Sequence, residues 1–191
     1  MNFRSIPKPI LIACGTIIIL LLWIWTSYNG LIATHETVGA SWAQVETVEQ
    51  RRVDLIPNLV ESVKGAARFE KETLTSVTNA RTKWLESGNS TEERMEAARN
   101  IDMAMTRFIA TVENYPQLQA TETFRDLLAQ LEGTENRISV ARRDYNEAVR
   151  LYNLSVKKFP GNLLAKQFGF SPETFFEAIE GAENAPRVKF E

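Results

Sequence analysis

The side chains best able to do chemistry in this 191-residue chain are few. It has one His, His35, and one Cys, Cys14. Nucleophilic catalysis by Ser or Cys needs an imidazole base held beside the nucleophile; Cys14 lies in an apolar run, and His35 would have to serve alone. Di-iron sites in helical bundles use a Glu-x-x-His pair on each of two helices, and neither pair occurs here. Glu132 and Glu135 share a helix face at i,i+3, which reads as a solvated or salt-bridged surface. A single Cys excludes a disulfide framework and a cysteine zinc cluster, and no G-x-x-x-x-G-K-[ST] stretch offers a phosphate cradle. These counts argue against an enzyme and against any bound cofactor or metal.

What remains is two polar blocks. Arg51, Arg52, Asp54 and Asn58 surround Pro57, and Glu135, Asn136, Arg137, Arg142, Asp144, Tyr145 and Asn146 are followed by Asn153. Arg52, Asp54, Asn58, Arg142, Tyr145 and Asn146 make up a candidate interaction patch. On an architectural reading the charges pair across or along helices while the Asn and Tyr side chains satisfy one another and fix register. On a binding reading a polar cleft opens at a bend near Pro57 and takes a partner's peptide or a lipid headgroup. His35 reads as a plain helix-surface side chain, with pH sensing near a membrane leaflet as the sharper alternative.

The elements that must carry these blocks begin with an anchor. Residues 10–28 contain no charged side chain, and 19 residues at a helical rise of about 1.5 Å span roughly 28 Å, enough to cross a bilayer. Arg4 and Lys8 precede the run and no Lys or Arg follows until Arg51, so the positive-inside bias predicts a cytoplasmic N-terminus of residues 1–9 and an exported domain. Trp23, Trp25 and Tyr28 cluster at the far end, where amphipathic rings favour the interface. A cleaved signal peptide is the rival reading, but the run is long and no A-x-A-like site follows Tyr28. The Leu11-Ile12-Ala13-Cys14 string has a lipobox look, yet its apolar run follows the Cys instead of preceding it. Without the leader the chain carries 20 Lys and Arg against 24 Asp and Glu, which does not favour nucleic acid.

Beyond the anchor, residues 29–183 predict one all-α domain, an antiparallel bundle of three long helices and a short C-terminal one. Val38, Trp42, Val45, Val48, Leu55, Leu59, Val63, Ala66 and Phe69 mark a helix from near Leu31 to near Leu85, kinked or restarted at Pro57. Ser87–Ser90 reads as a turn. Ser90 with Glu93 fits a capping box for a second helix buried through Met95, Ala98, Ile101, Met105, Phe108, Val112 and Tyr115 and stopped by Pro116. A third, near heptad spacing, carries Phe124, Leu128, Leu131, Ile138, Tyr145, Ala148 and Tyr152 and ends at Phe159-Pro160-Gly161. The fourth is expected to start with Ser171 as N-cap and Pro172 at N1, with Phe175, Phe176 and Ile179 as its apolar face. Residues 184–191 read as an extended tail.

Tyr28-Asn29, Trp42, the block Gln50-Arg51-Arg52-Val53-Asp54-Leu55-Ile56-Pro57-Asn58-Leu59-Val60, the block Glu135-Asn136-Arg137-Ile138 with Ala141-Arg142 and Tyr145-Asn146, then Tyr152-Asn153, Phe159-Pro160 and Phe168-Gly169-Phe170, together resemble the LemA family. The resemblance covers essentially the whole chain. It implies a bacterial, single-pass envelope protein whose helical bundle stands outside the cytoplasmic membrane, with relatives beside membrane metallopeptidase genes and among magnetosome membrane proteins. It supplies no catalytic residues. The expected function is a non-enzymatic interaction or scaffold module whose partners are the lipid bilayer and an envelope protein; the alternative is an extracytoplasmic sensory or ligand-binding bundle. The sequence leaves the oligomeric state and the partner's identity open.

Overall fold

The computed structural model describes residues 8–64, 69–88 and 90–177. Among them the chain is all-α, with helices α1 (Lys8–Lys64), α2 (Lys71–Glu86), α3 (Thr91–Val112), α4 (Pro116–Gln119), α5 (Glu122–Lys157) and α6 (Gly161–Phe168). Ile179 and the tail 184–191 lie outside the described residues.

The chain divides into two compact units. The first holds residues 1–41 and 146–173, so it contains the start of α1, the end of α5 and all of α6. Here α1 exposes Ile10, Leu11, Ile12, the run Ile17–Leu22, Ile24 and Trp25 on every side. A helix apolar all round and unburied by protein is matched to hydrocarbon, and α1 carries a stretch long and apolar enough to cross a membrane, with none of it covered. Further along, Leu31 and Val38 are buried, and the His35 ring lies 5.1 Å from that of Tyr152 on α5. After α6, Gly169 adopts φ +77°, the left-handed conformation at a helix C-terminus that only glycine takes without strain. The Phe170 N–H then returns to the Ala165 carbonyl at 2.9 Å, closing the helix end and directing Phe170 toward Tyr28, 6.0 Å between ring centroids.

The second unit holds residues 42–145 and 174–191. The end of α1 (Val45, Val53, Ile56, Leu59), α2 (Val77, Trp84), α3 (Ile101, Phe108) and the start of α5 (Phe124, Leu131, Ile138) supply its buried side chains. Ser90 caps α3 by accepting from the Glu93 N–H, half of the expected box. Trp84 on α2 donates its indole N–H to Gln50 Oε1 on α1 at 3.0 Å, and the Arg94 guanidinium lies 5.0 Å above the Trp84 ring.

Four expectations need correction. The anchor and the first domain helix are one element: α1 runs unbroken from Lys8 to Lys64 through Asn29 and Gly30. The helix also runs through Pro57 and does not restart there: Val53, Ile56, Leu59 and Val63, all buried, hold it across the one missing backbone hydrogen bond, while the proline ring faces solvent. What was expected as one helix to Leu85 is α1, described to Lys64, and a separate α2 that begins at Lys71. Pro116 opens the short α4 at its first position as well as lying beyond the end of α3.

The fourth correction is the C-terminal helix. The short helix is Gly161–Phe168, and residues 171–177 are not helical. Their backbone groups are taken by α5 side chains. In the first unit Tyr152 Oη donates to the Ser171 carbonyl at 2.9 Å, and the Asn153 amide both donates to the Glu173 carbonyl and accepts its N–H, each at 2.8 Å. In the second unit Tyr145 Oη donates to the Thr174 carbonyl at 2.9 Å. The carbonyls of Ser171, Glu173 and Thr174 and the Glu173 N–H are thereby withdrawn from i to i−4 bonds.

Gly169→Ala, which imposes a Cβ at φ +77°, is expected to lower stability by about 1 kcal/mol in urea unfolding of the detergent-solubilised chain, read by far-UV circular dichroism.

Candidate functional site: a buried ion network and the groove beside it

The charged side chains that come together in the second unit come from three helices. Glu49 and Arg52 sit at i,i+3 on α1, Asp102 on α3, and Glu135 and Arg142 at i,i+7 on α5. These positions are core positions. Glu49 and Arg52 continue the stripe Val45, Ile56, Leu59, Val63 and are buried by it, and Glu135 and Arg142 fall on the stripe Leu128, Val149, Val156, which leaves Arg142 mostly covered and Glu135 half-exposed. Glu49 is 0% and Arg52 1% exposed.

Arg52 is the hub. Its Nη2 lies 2.6 Å from Glu49 Oε2, and its Nη1 lies 2.7 Å from Asp102 Oδ1 and 2.9 Å from Glu135 Oε1. Arg142 grips the same two acids from the other side: Nη1 is 2.9 Å from Asp102 Oδ2, and Nε donates to Glu49 Oε1 at 3.1 Å. Its guanidinium stacks 4.1 Å from the centroid of Phe176. Two guanidiniums against three carboxylates leave a formal charge of −1.

Burial and pairing act in opposite directions here. Burial raises the Glu49 carboxyl above its ordinary value, against the pull of Arg52 and Arg142. Burial alone would lower the Arg52 pKa, but Glu49, Asp102 and Glu135 raise it. For Asp102, burial is outweighed by hydrogen bonds from Arg142 and the charge of Arg52, and its carboxyl is held below the ordinary 3.8.

The candidate patch named from sequence separates. Arg52 and Arg142 join through Glu49 and Asp102. Asp54 and Asn58 are exposed on α1, Asp54 accepting from Gln50 Nε2 at 2.8 Å. Tyr145 is buried and binds the backbone at Thr174, and Asn146 falls in the first unit. Arg51, Arg137 and Asp144 line a separate depression of about 490 Å³ with Val140 and Ala141. Glu49 and Asp102 were not singled out in the sequence; charged residues inside an apolar stripe were the available signal.

Beside the network lies a groove. One part, about 550 Å³, is bounded by Arg52, Asp102, Glu135 and Arg142 and floored by Met105, Ile109 and Leu131. A second, about 610 Å³, shares Ile109, Glu113, Leu131 and Glu135 and continues past Val112 and Leu128 to Gln119 and Glu132. Its floor is apolar and its rim carries the exposed Glu113 and Glu132 with the half-exposed Glu135. Apart from Arg52 Nε, which is buried without a hydrogen-bond partner, the guanidinium nitrogens of the network are committed to its carboxylates; the arrangement holds three helices in register and presents a groove suited to an apolar, basic ligand.

The fold and this site define an all-α protein carrying an apolar stretch long enough to cross a membrane and a helical domain with a charged core layer. It belongs to the LemA family, whose sequence profile matches residues 41–190. The chain is 28% identical to magnetosome protein MamQ 2 of Paramagnetospirillum magneticum, over 78% of this chain and 64% of the relative, and 25% identical to magnetosome protein MamQ of Magnetospirillum gryphiswaldense with the same coverage. It therefore spans about 64% of the length of these relatives. It is 23% identical to protein LemA of Metamycoplasma hominis, covering 93% of this chain and 85% of that one. None of these names states a catalytic activity.

Arg52→Met, which leaves the fully buried Glu49 with Arg142 as its remaining guanidinium and takes the hub from Asp102 and Glu135, is expected to cost about 3–5 kcal/mol in urea unfolding, and Glu49→Gln on the same background is expected to recover part of it. Asp102→Asn tests the pH dependence. A depressed carboxyl stabilises the fold above its unfolded value, 3.8, and loses that contribution as pH falls through the lower folded value. The deficit of the variant against the parent chain, measured from pH 7 downward, is expected to be full above 3.8 and to shrink as pH falls from there through the lower folded value; a deficit unchanged into strong acid contradicts the assignment.

Proposed function

We propose that this protein is a membrane-tethered, non-enzymatic interaction module, with its N-terminus in the cytoplasm and its helical domain on the outer face of the cytoplasmic membrane, presenting the groove to another envelope protein. The observation that carries the reading is the groove itself: an apolar floor with a glutamate rim, beside charges already paired among themselves. Its complement is a segment that sets apolar side chains on Ile109 and Leu131 and basic ones against Glu113 and Glu132. The names of the magnetosome relatives support a membrane setting. Continuity of α1 supports an anchor that is retained, because cleavage near Tyr28 would fall inside a helix packed through Leu31 and Val38.

A second reading, a sensory or ligand-binding bundle, is favoured by the groove volume, which is in the range of small-molecule sites. A photo-crosslinking residue at Thr106, on the groove wall, introduced into the full chain in its native membrane, separates the two. A discrete protein adduct that weakens with Glu113→Lys and Glu132→Lys is expected. An adduct yield no greater than that from the exposed Thr82 on α2 overturns the reading, and stabilisation of the detergent-solubilised chain by a metabolite in a thermal-shift screen establishes the alternative.

A further inference from the structure

Around α6 the first unit leaves an apolar surface uncovered. Leu164 and Ala165 are buried, but Phe159, Leu163 and Phe168 are 72%, 60% and 51% exposed, three large apolar side chains within ten residues. The same stretch is basic. Lys157, Lys158 and Lys166 fall in residues 157–172, which contain no Asp or Glu. In water such a patch is unfavourable, and its mixture of apolar and cationic side chains is that of segments lying in a membrane interface.

The structure also fixes where this patch lies along α1. Tyr28 lies near the end of the apolar stretch that begins at Ile10, followed by Asn29 and Gly30 with no charged side chain before Glu36, and its ring centroid is 4.9 Å from that of Phe168 and 6.0 Å from that of Phe170. A ring at the end of a membrane-spanning stretch sits at headgroup level, so a side chain stacked on it sits there too. The chain arrives from the same direction. Tyr152 lies beside His35, and beyond it α5 continues to Lys157 before α6 reaches Tyr28.

We propose that the segment Lys157–Phe170 rests in the interfacial zone of the bilayer around the exit of α1. Phe159, Leu163 and Phe168 lie among the ends of the acyl chains, and the three lysines lie against anionic phospholipid headgroups. The proposal rests on α1 crossing the membrane. It adds a second contact, which restrains the tilt and rotation of the first unit against the lipid surface. A lone helix leaves both free, whereas an anchor displaced from the helix axis opposes them.

The test uses the full chain carrying Cys14→Ser, reconstituted in vesicles of phosphatidylcholine and phosphatidylglycerol. Single cysteines replace Leu163, Ile18 in the span, or Thr106 in the second unit, and each carries an environment-sensitive fluorophore. Lipids bearing nitroxide at the headgroup or deep in the acyl chain quench according to depth. The label at 163 is expected to be quenched by the headgroup nitroxide at least roughly twofold more than that at 106, as interfacial burial of a few ångströms implies. The label at 18 is expected to respond to the deep nitroxide. If 18 responds and 163 behaves like 106, the anchor stands and the second contact is overturned. If 18 does not respond, the anchor itself fails. A blue shift at 163 without nitroxide quenching would show protein cover, as from a second copy, and also overturns the proposal.

Discussion

Two guanidiniums held against the buried Glu49, the largely buried Asp102 and the half-exposed Glu135 between α1, α3 and α5 are the constraint on which the second unit depends. Their net contribution to stability is small or even unfavourable compared with apolar residues of the same volume, because each ion loses hydration worth several kcal/mol. Their effect lies in what they forbid. If α5 slips by one turn along α1, Arg52 loses Glu135 and Glu49 loses Arg142, leaving only the Glu49–Arg52–Asp102 contacts to hold charge that the four-sided pairing had satisfied. An all-apolar layer of the same shape would tolerate that slip at the cost of a few contacts. Helices with long, regular stripes need such a device, since one heptad looks much like the next.

That constraint also explains what could be read in the sequence. The amphipathic stripes of α3 and α5 were legible because Ile101, Phe108, Phe124, Leu131 and Ile138 recur at steps close to the helical period and are buried in the structure. Arg52, Glu135 and Arg142 were legible as charges that could pair across helices. Glu49 and Asp102 were not, because a pattern search that counts only apolar residues skips a charge lying on the stripe. A restart of the first long helix at Pro57 was expected for a related reason: local propensity favours a break there, and packing of Ile56 and Leu59 overrides it.

The C-terminal segment shows the opposite failure. Ser171, Pro172 and the aromatic pair satisfied every local rule for a helix start, yet residues 171–177 are not helical. What decides the matter is on another element. Tyr145, Tyr152 and Asn153 of α5 supply the hydrogen bonds that a helix would have supplied internally. Asn153 is the most telling, since one amide satisfies both backbone groups of Glu173. The Tyr-Asn pairs on which the family resemblance rests are therefore partly explained by backbone they hold in place, a role no local propensity reveals.

Pairing within the network also shapes what the groove can recognise. Arg52 and Arg142 line its wall, and two arginines in a cleft suggest an anionic ligand when read from sequence alone. Their donors face Glu49, Asp102 and Glu135, so to such a ligand the wall offers an overall negative charge with little of the guanidinium left to bind. Glu113 and Glu132, on the rim and in water, extend the same sign outward. Exposed rim charges act mainly on encounter and choice of partner and are screened over about 8 Å at physiological ionic strength, whereas Ile109, Leu128 and Leu131 can contribute affinity only if a ligand covers them. A partner must therefore bring apolar side chains deep enough to reach that floor, and the acids around it disfavour any that arrive bearing negative charge.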